Sequence, residues 1–277
     1  MPAISVVIPT HNRRDFVLRA LESVHRQSVA PREIVVIDDG STDGTMDAIQ
    51  QHFPAVLVHS QAQSGVSKSR NEGIKRTTSP WIALLDSDDY WHPEKLAQQI
   101  RHADAHPNTR LIHCNEQWIR NGQPLAQKHY HRKSGGDIFS RSLHRCLISP
   151  SAVLLKRSLL WEVGPFDENM PACEDYDLWL RISAHEHVGF VDEALLTKHG
   201  GHGDQLSRTI WGLDRFRIYA LRKLIFSNRL TAQQMHEAIA VLIKKIDIFV
   251  KGAEKHGRKH EISSYLTLAR EVKQLCL

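Results

Sequence analysis

The chain has 277 residues, 41% of them hydrophobic, enough for one large domain or a domain with an appendage. Lys and Arg number 36 against 31 Asp and Glu, a net charge of +5 that suits an anionic ligand without selecting a partner class. The four Cys form no C-x-x-C pair, which argues against a structural zinc site, and they give no disulfide framework.

In chain order, Ile4 to Ile8 reads as a buried strand and Phe16 to Val24 as a helix with apolar residues at helical spacing. Glu33 to Ile37 is a second strand, ending in Asp38-Asp39-Gly40, and Asp43 to Phe53 a helix capped by Ser41 or Thr42. A short strand at Val56 to Val58, a helix at Val66 to Lys75 and a strand at Trp81 to Leu85 follow. Apolar strands alternating with helices predict an α/β fold with a mainly parallel sheet, which binds ligands at the carboxyl ends of its strands. The middle is less regular. A helix starts at Pro93, a strand runs from Leu111 to Trp118, and the turn Arg120-Asn121-Gly122-Gln123 opens a hairpin reaching about Tyr130. Ser151 to Leu155 is a strand, Tyr176 to Ser183 a helix and Val188 to Val191 a short strand. From about Thr209 the pattern becomes long amphipathic helices, so the chain divides into residues 1–207 and a helical extension, 208–277.

No secretory signal is recognised, because the apolar run Ala3 to Ile8 is short and lacks a basic lead. No run reaches the roughly 18 apolar residues of a spanning helix. The expected location is cytoplasmic, with peripheral contact at the inner membrane face open to the basic C-terminal helices. Those helices could instead pack on the core or on a second copy, as a homodimer. Nucleic acid is not the expected partner.

The densest chemistry is Asp86-Ser87-Asp88-Asp89, directly after Trp81-Ile82-Ala83-Leu84-Leu85. Crowded carboxylates repel one another unless a cation lies between them, and a hard divalent cation that also takes substrate phosphate would serve. A solvated Asx-rich turn before a helix accounts for the same residues. The chain has neither G-x-x-x-x-G-K-[ST] nor G-x-G-x-x-G after its first strand, so it is not a P-loop protein or a typical dinucleotide dehydrogenase.

Five segments, in order, supply further context: VVIPTHNR at 6–13, VVIDDGSTDGT at 35–45, GVSKSRNEGI at 65–74, ALLDSDDYWHP at 83–93 and CEDYDLWLRI at 173–182. Together they resemble the inverting family 2 glycosyltransferases of GT-A fold, over roughly two-thirds of the chain. The resemblance implies a Rossmann-like mixed sheet flanked by helices. It also implies transfer of a sugar from a nucleoside-diphosphate donor, expected to be UDP-linked, to an acceptor hydroxyl in polysaccharide or glycoconjugate synthesis. The acceptor would be a saccharide, free or lipid-linked.

By that resemblance Pro9, Thr10, His11 and Asn12 form a wall of the base pocket, with His11 where the family often has an aromatic ring. Asp39 accepts from the imide of uracil or thymine, which a carboxylate can do because it only accepts. Lys68, Arg70 and Asn71 lie near the nucleotide, Arg70 by a bidentate phosphate contact. Asp86 and Ser87 contact the donor, Asp86 at the ribose, and Asp88 binds Mn²⁺ or Mg²⁺. Asp175 is the general base and Glu174 positions it or the acceptor; acidic charge at a helix N-terminus is the alternative source of that pair. His202, in rivalry with His199, is a further metal ligand, in a loop that would close over the donor. Trp91 and Trp179 are sugar-stacking candidates, Trp179 equally a core residue. The contrasting reading is a non-catalytic nucleotide-sugar-binding or scaffold protein on the same fold.

Overall fold

The computed structural model describes residues 3–201, 210–258 and 262–275. Strands β1 (Ile4–Thr10), β2 (Glu33–Asp38), β3 (Leu57–Ser60) and β4 (Trp81–Leu84) pair in parallel, linked by helices α1 (Arg14–His25), α2 (Thr45–His52) and α3 (Val66–Lys75). All seven β1 residues are buried, as expected of a central strand covered on both faces. Helix α3 lies close on β1. A methyl group at Gly73 would stand 2.3 Å from Val7 Cγ1, so only glycine permits that approach. Thr10 sits beside Asp38 in register, so the ends of β1 and β2 open side by side.

The second half returns along the sheet. It comprises β5 (Tyr90–Trp91), α4 (Lys95–Ala105), β6 (Leu111–Arg120), β7 (Gln123–Leu125), α5 (Phe139–His144), β8 (Val153–Lys156), α6 (Arg157–Val163), α7 (Glu174–Ser183) and β9 (Gly189–Gly200). Strand β8 runs antiparallel to β4 and β6, and β9 parallel to β6, giving the order β3-β2-β1-β4-β8-β6-β9-β5 with β7 on β6. The mixed sheet places residues just before β8 and late in β9 around the end of β4.

Several expectations need correction. The predicted short strand at Val188 to Val191 is a twelve-residue strand, β9. Its register with β6 shifts around Asn115, and its exposed residues Asp192 and Glu193 hide the apolar pattern. The hairpin ends at Leu125, not near Tyr130, and α4 begins at Lys95, not Pro93. Neither Ser41 nor Thr42 caps α2. Gly44, at φ 79°, precedes that helix, and the Asp43 carboxylate accepts from Thr45 N at 3.1 Å. The Ser41 hydroxyl accepts from Asn12 N at 2.8 Å, and Thr42 N donates to Asn12 Oδ1 at 2.8 Å.

Helices α8 (Asp214–Ile225), α9 (Ala232–Lys255) and α10 (Ile262–Gln274) complete the chain. Thr231 and Gln234 form a reciprocal capping box at the start of α9. Leu221, Leu242, Ile246 and Phe249 of this region share one apolar cluster with Phe139, Leu143, Tyr176 and Leu180. Lys223 of α8 reaches Asp167 and Asp177, each at 2.7 Å. The extension therefore braces α7, the helix headed by Glu174 and Asp175. Among the described residues, no helix is long and apolar enough to cross a membrane.

Candidate active site

The ends of β1 and β2 bring together the residues expected to form the base pocket. Pro9 and Thr10 are buried, and Thr10 Oγ1 and Asp38 Oδ1 are buried with no hydrogen-bond partner. His11 Nδ1 bonds the Asp39 carbonyl at 2.8 Å, which makes Nδ1 the protonated nitrogen. Nε2 is then the acceptor facing Asn12 Nδ2 at 3.2 Å and Gln63 Nε2 at 3.3 Å. Asn12 adopts φ 49° and ties β1 to the β2–α2 loop. The Asp39 carboxylate accepts from Gln61 Nε2 at 2.7 Å, Ser64 N at 2.9 Å and Gly65 N at 2.8 Å. It thus shapes the loop entering α3, with acceptor capacity left for another donor.

Two expected nucleotide contacts take other roles. Arg70 is buried, and its two terminal nitrogens donate at 2.6 Å to Asp86 Oδ1 and to Glu174 Oε1. Its fork is consumed by carboxylates rather than offered to phosphate. Burial opposes its charge, but Asp86 and Glu174 hold it protonated. Asn71 is also buried, bonded to both backbone polar groups of Phe166 and to Glu168 Oε1, so it fixes a loop instead of facing a nucleotide. Lys68 is half-exposed and unpaired among the described residues.

The acidic turn divides its carboxylates among different partners. Burial works against ionisation of Asp86, but Arg70, helped by Lys198 and Arg13, keeps it below the usual carboxylate range. Ser87 is buried within the turn. Asp88 is partly exposed and pairs with Arg13 at 2.6 Å. Asp89 is buried, accepting from Ser151 Oγ at 2.6 Å and His199 N at 3.1 Å. Burial and then the charge of Asp88 push its carboxyl well above the usual range. Ser151 Oγ also accepts from Asp86 N at 3.0 Å, so one hydroxyl holds two residues of the turn.

Across the cleft, Cys173 adopts φ 60°, a left-handed conformation unfavourable for a non-glycine residue, immediately before α7. Glu174 is raised by burial, in part offset by Arg70. Asp175 is half-exposed, and its Oδ2 accepts from the Cys146 thiol at 3.3 Å. Burial and then the charge of Asp175 push that thiol well up, so it stays a donor. Lys198 Nζ donates to Ser149 Oγ at 3.2 Å. Burial disfavours its ammonium, but Glu116, Asp89, Asp86 and Asp175 hold it charged. Behind it lies a buried pair, Lys133 and Glu116 at 2.7 Å. Burial of Glu116 is outweighed by Lys133 and then Lys198, which lower it to about 2.

Arg13, Cys146, Ser151 and Lys198 thus join the site without having been selected from the sequence. Arg13 ends the first quoted segment, a signal that was available. The others are common residue types placed by the sheet order alone. Trp91 is buried and donates to Ser151 O at 2.8 Å, and Trp179 is buried too, so neither is free to stack on a sugar. His202 lies outside the described residues.

Among the described residues no cluster of three or more His, Cys, Asp or Glu could hold a metal alone. A cation held at the Asp88 carboxylate would therefore have to take most of its ligands from diphosphate and water. Asp86 and Asp88 are both partly exposed, and Asp88 is the one whose charge is balanced by Arg13.

A sheet whose strand ends gather a base pocket, a D-x-D turn and a helix-borne acidic pair is that of the GT-A glycosyltransferases. Staphylococcus aureus TarS 1–349 in complex with UDP-GlcNAc shares the fold with a TM-score of 0.70 at 20% identity, over 88% of this chain and 71% of that one. The mannosyltransferase PcManGT of Pyrobaculum calidifontis, in complex with GDP-Man and Mn²⁺, gives 0.58 at 17% identity, over 99% and 83%. The model for Glycosyl transferase family 2 matches residues 5–164, and the chain belongs to that family. An uncharacterized glycosyltransferase of Rickettsia felis is 30% identical over 194 residues, 69% of this chain, which spans about a third (32%) of that protein. YwdF of Bacillus subtilis, likewise an uncharacterized glycosyltransferase, is 30% identical over 67% of this chain and 69% of its own. WcaA of Escherichia coli K12, provisionally assigned to colanic acid biosynthesis, is 26% identical over 73% and 74%.

Proposed function

We propose that this chain is a glycosyltransferase that takes its sugar from a UDP-linked donor, with Mn²⁺ or Mg²⁺, and transfers it with inversion to a saccharide or lipid-linked acceptor hydroxyl. The observation that carries this reading is the Arg70 bridge. One buried guanidinium joins the D-x-D turn to the head of α7, holding Asp86 and Glu174 on the two terminal nitrogens of a single fork. The donor turn and the acidic pair thereby face a common space, as a single displacement requires.

In this reading Asp175 takes the proton from the acceptor hydroxyl as its oxygen attacks the anomeric carbon. Base catalysis of this kind contributes about 10²–10⁴-fold. The Cys146 thiol orients the carboxylate, leaving Oδ2 lone-pair capacity toward the acceptor. Arg70 acts as a positioning residue, and Lys198 balances the negative charge of the cleft so that an anionic donor can enter. Asp88 would hold the cation together with diphosphate oxygens. When bound, it supplies Lewis-acid stabilisation of the departing nucleoside diphosphate. Asp39 retains acceptor capacity for an imide N–H, and TarS, a structural neighbour, is described with UDP-GlcNAc and with UDP.

Calorimetry of UDP binding with and without Mn²⁺ tests the donor half of the proposal. Wild type should bind more tightly with the metal, and Asp88→Ala should lose that increment. Equal UDP affinity in all four titrations would count against it.

A further inference from the structure

A second cavity lies outside the site just described. It encloses about 760 Å³ between the segment after β7, helix α5 and β9. Its lining includes Tyr130, Arg132, Lys133, Arg141, His144 and Arg145. Arg141 donates to Arg132 O at 2.6 Å and to Ser134 Oγ, and Arg145 donates to Tyr130 O at 3.0 Å. The Arg145 guanidinium also lies 4.6 Å from the Tyr130 ring centroid. Among the described residues none of Arg132, Arg141 and Arg145 pairs with a carboxylate, although many other Arg of this chain do. Lys133 is already matched by Glu116. The acid in the lining, Asp192, accepts from Asn115 Nδ2 at 3.1 Å. Three guanidiniums therefore share one concavity with a single lining carboxylate, Asp192, to which none of them is paired. Nearby imidazoles register the field: burial and then surrounding cations hold His131 and His144 below the usual range.

The cavity adjoins the cleft. Arg145 and Leu147 line it, and Cys146 between them bonds Asp175. The backbone at Arg145 is extended, so Arg145 and Leu147 face the cavity while Cys146 between them faces Asp175. From the other side Lys133 stands 3.5 Å from Ser149 Oγ, the hydroxyl that Lys198 also binds.

We propose that this cavity binds a phosphate group of the acceptor, so that the glycosyl acceptor is a phosphodiester- or diphosphate-bearing saccharide. The proposal rests on the glycosyltransferase reading for the word acceptor, while the anion site stands on the geometry alone. Guanidinium forks match tetrahedral phosphate oxygens, which can engage several donors at once. A neutral acceptor gives no reason to gather three unpaired arginines beside the candidate base.

The test is calorimetry on the full chain with inorganic pyrophosphate, with and without saturating UDP. Binding should be insensitive to UDP and weaken at least about tenfold in the double variant Arg132→Ala/Arg145→Ala. Recovery is expected in Arg132→Lys/Arg145→Lys, with UDP affinity unchanged throughout. The Arg132 side chain has no described hydrogen bond or ion pair, so Arg132→Ala alone serves if the double variant fails to fold. Displacement of pyrophosphate by UDP, or unchanged affinity in the folded alanine variants, overturns the site. Loss of UDP binding by wild type would instead sink the donor reading and leave the cavity result standing. Competition then distinguishes the sources: glycerophosphorylglycerol for a phosphodiester chain, geranyl diphosphate in neutral micelles for a lipid diphosphate. Displacement by neither overturns the acceptor assignment.

Discussion

Replacing Arg70 by Met removes the buried cation that bridges Asp86 and Glu174, both at 2.6 Å. Methionine fills much of the volume but leaves two carboxylates uncompensated. Breaking a buried ion pair in this way costs about 3–5 kcal/mol, and here one cation serves two anions. At roughly 2–4 °C per kcal/mol for a chain near this size, the melting temperature should fall by about 6–20 °C. The pH dependence separates this from a packing defect. Asp86 has its folded pKa lowered, so its stabilising contribution is present above the unfolded value and lost as pH falls through the folded one. In the variant that contribution is missing, and both carboxyls take up protons more readily. The gap between the two proteins should be widest near pH 7.5 and narrow toward pH 4. Thermal melts across that range, with Arg70→Met/Glu174→Gln as a partial rescue, provide the assay. A gap below about 2 °C, or one independent of pH, would refute the reasoning.

Asp175→Asn should reduce transfer by about 10²–10⁴-fold while UDP affinity measured by calorimetry stays unchanged. Cys146→Ala removes a donor that orients that carboxylate, so kcat should fall with little change in donor KM. Asp89 has its folded pKa raised, so its contribution is full below the unfolded value and lost as pH rises through the folded one. Asp89→Asn should therefore gain stability relative to wild type as pH rises from 4 to 8 in denaturant titrations. Gly73→Ala drives a methyl to 2.3 Å from Val7 Cγ1 and should cost about 1–3 kcal/mol by the same titrations.

Strands β1, β2 and β4 were legible because they are largely buried and read as apolar runs, whereas the exposed edge strand β3 lies at Leu57–Ser60 rather than at the expected Val56 to Val58. Helix α3 falls at Val66–Lys75, the residues read from the sequence. Strand β9 was not legible, because it is partly exposed and its register with β6 slips near Asn115. The acidic members of the site could be found from local crowding, an arrangement that demands a counter-charge. The identity of that counter-charge could not. Arg70 was read as a nucleotide contact, and only tertiary packing turns its fork inward between Asp86 and Glu174. Ser151 and Lys198 carry no local signal at all. They meet the D-x-D turn because β8 lies beside β4 and because β9 returns along β6.

The proposed reaction is a single displacement at a UDP-linked sugar, assisted by a base at the head of α7. Proton NMR of the anomeric region tests it most directly, following a panel of UDP-α-sugars with Mg²⁺ in the absence of acceptor, where water takes the acceptor's place. The account predicts that the β-anomer of one free sugar appears first, before mutarotation, and that Asp175→Asn abolishes its release. Initial release of the α-anomer, or undiminished release by Asp175→Asn, would contradict it.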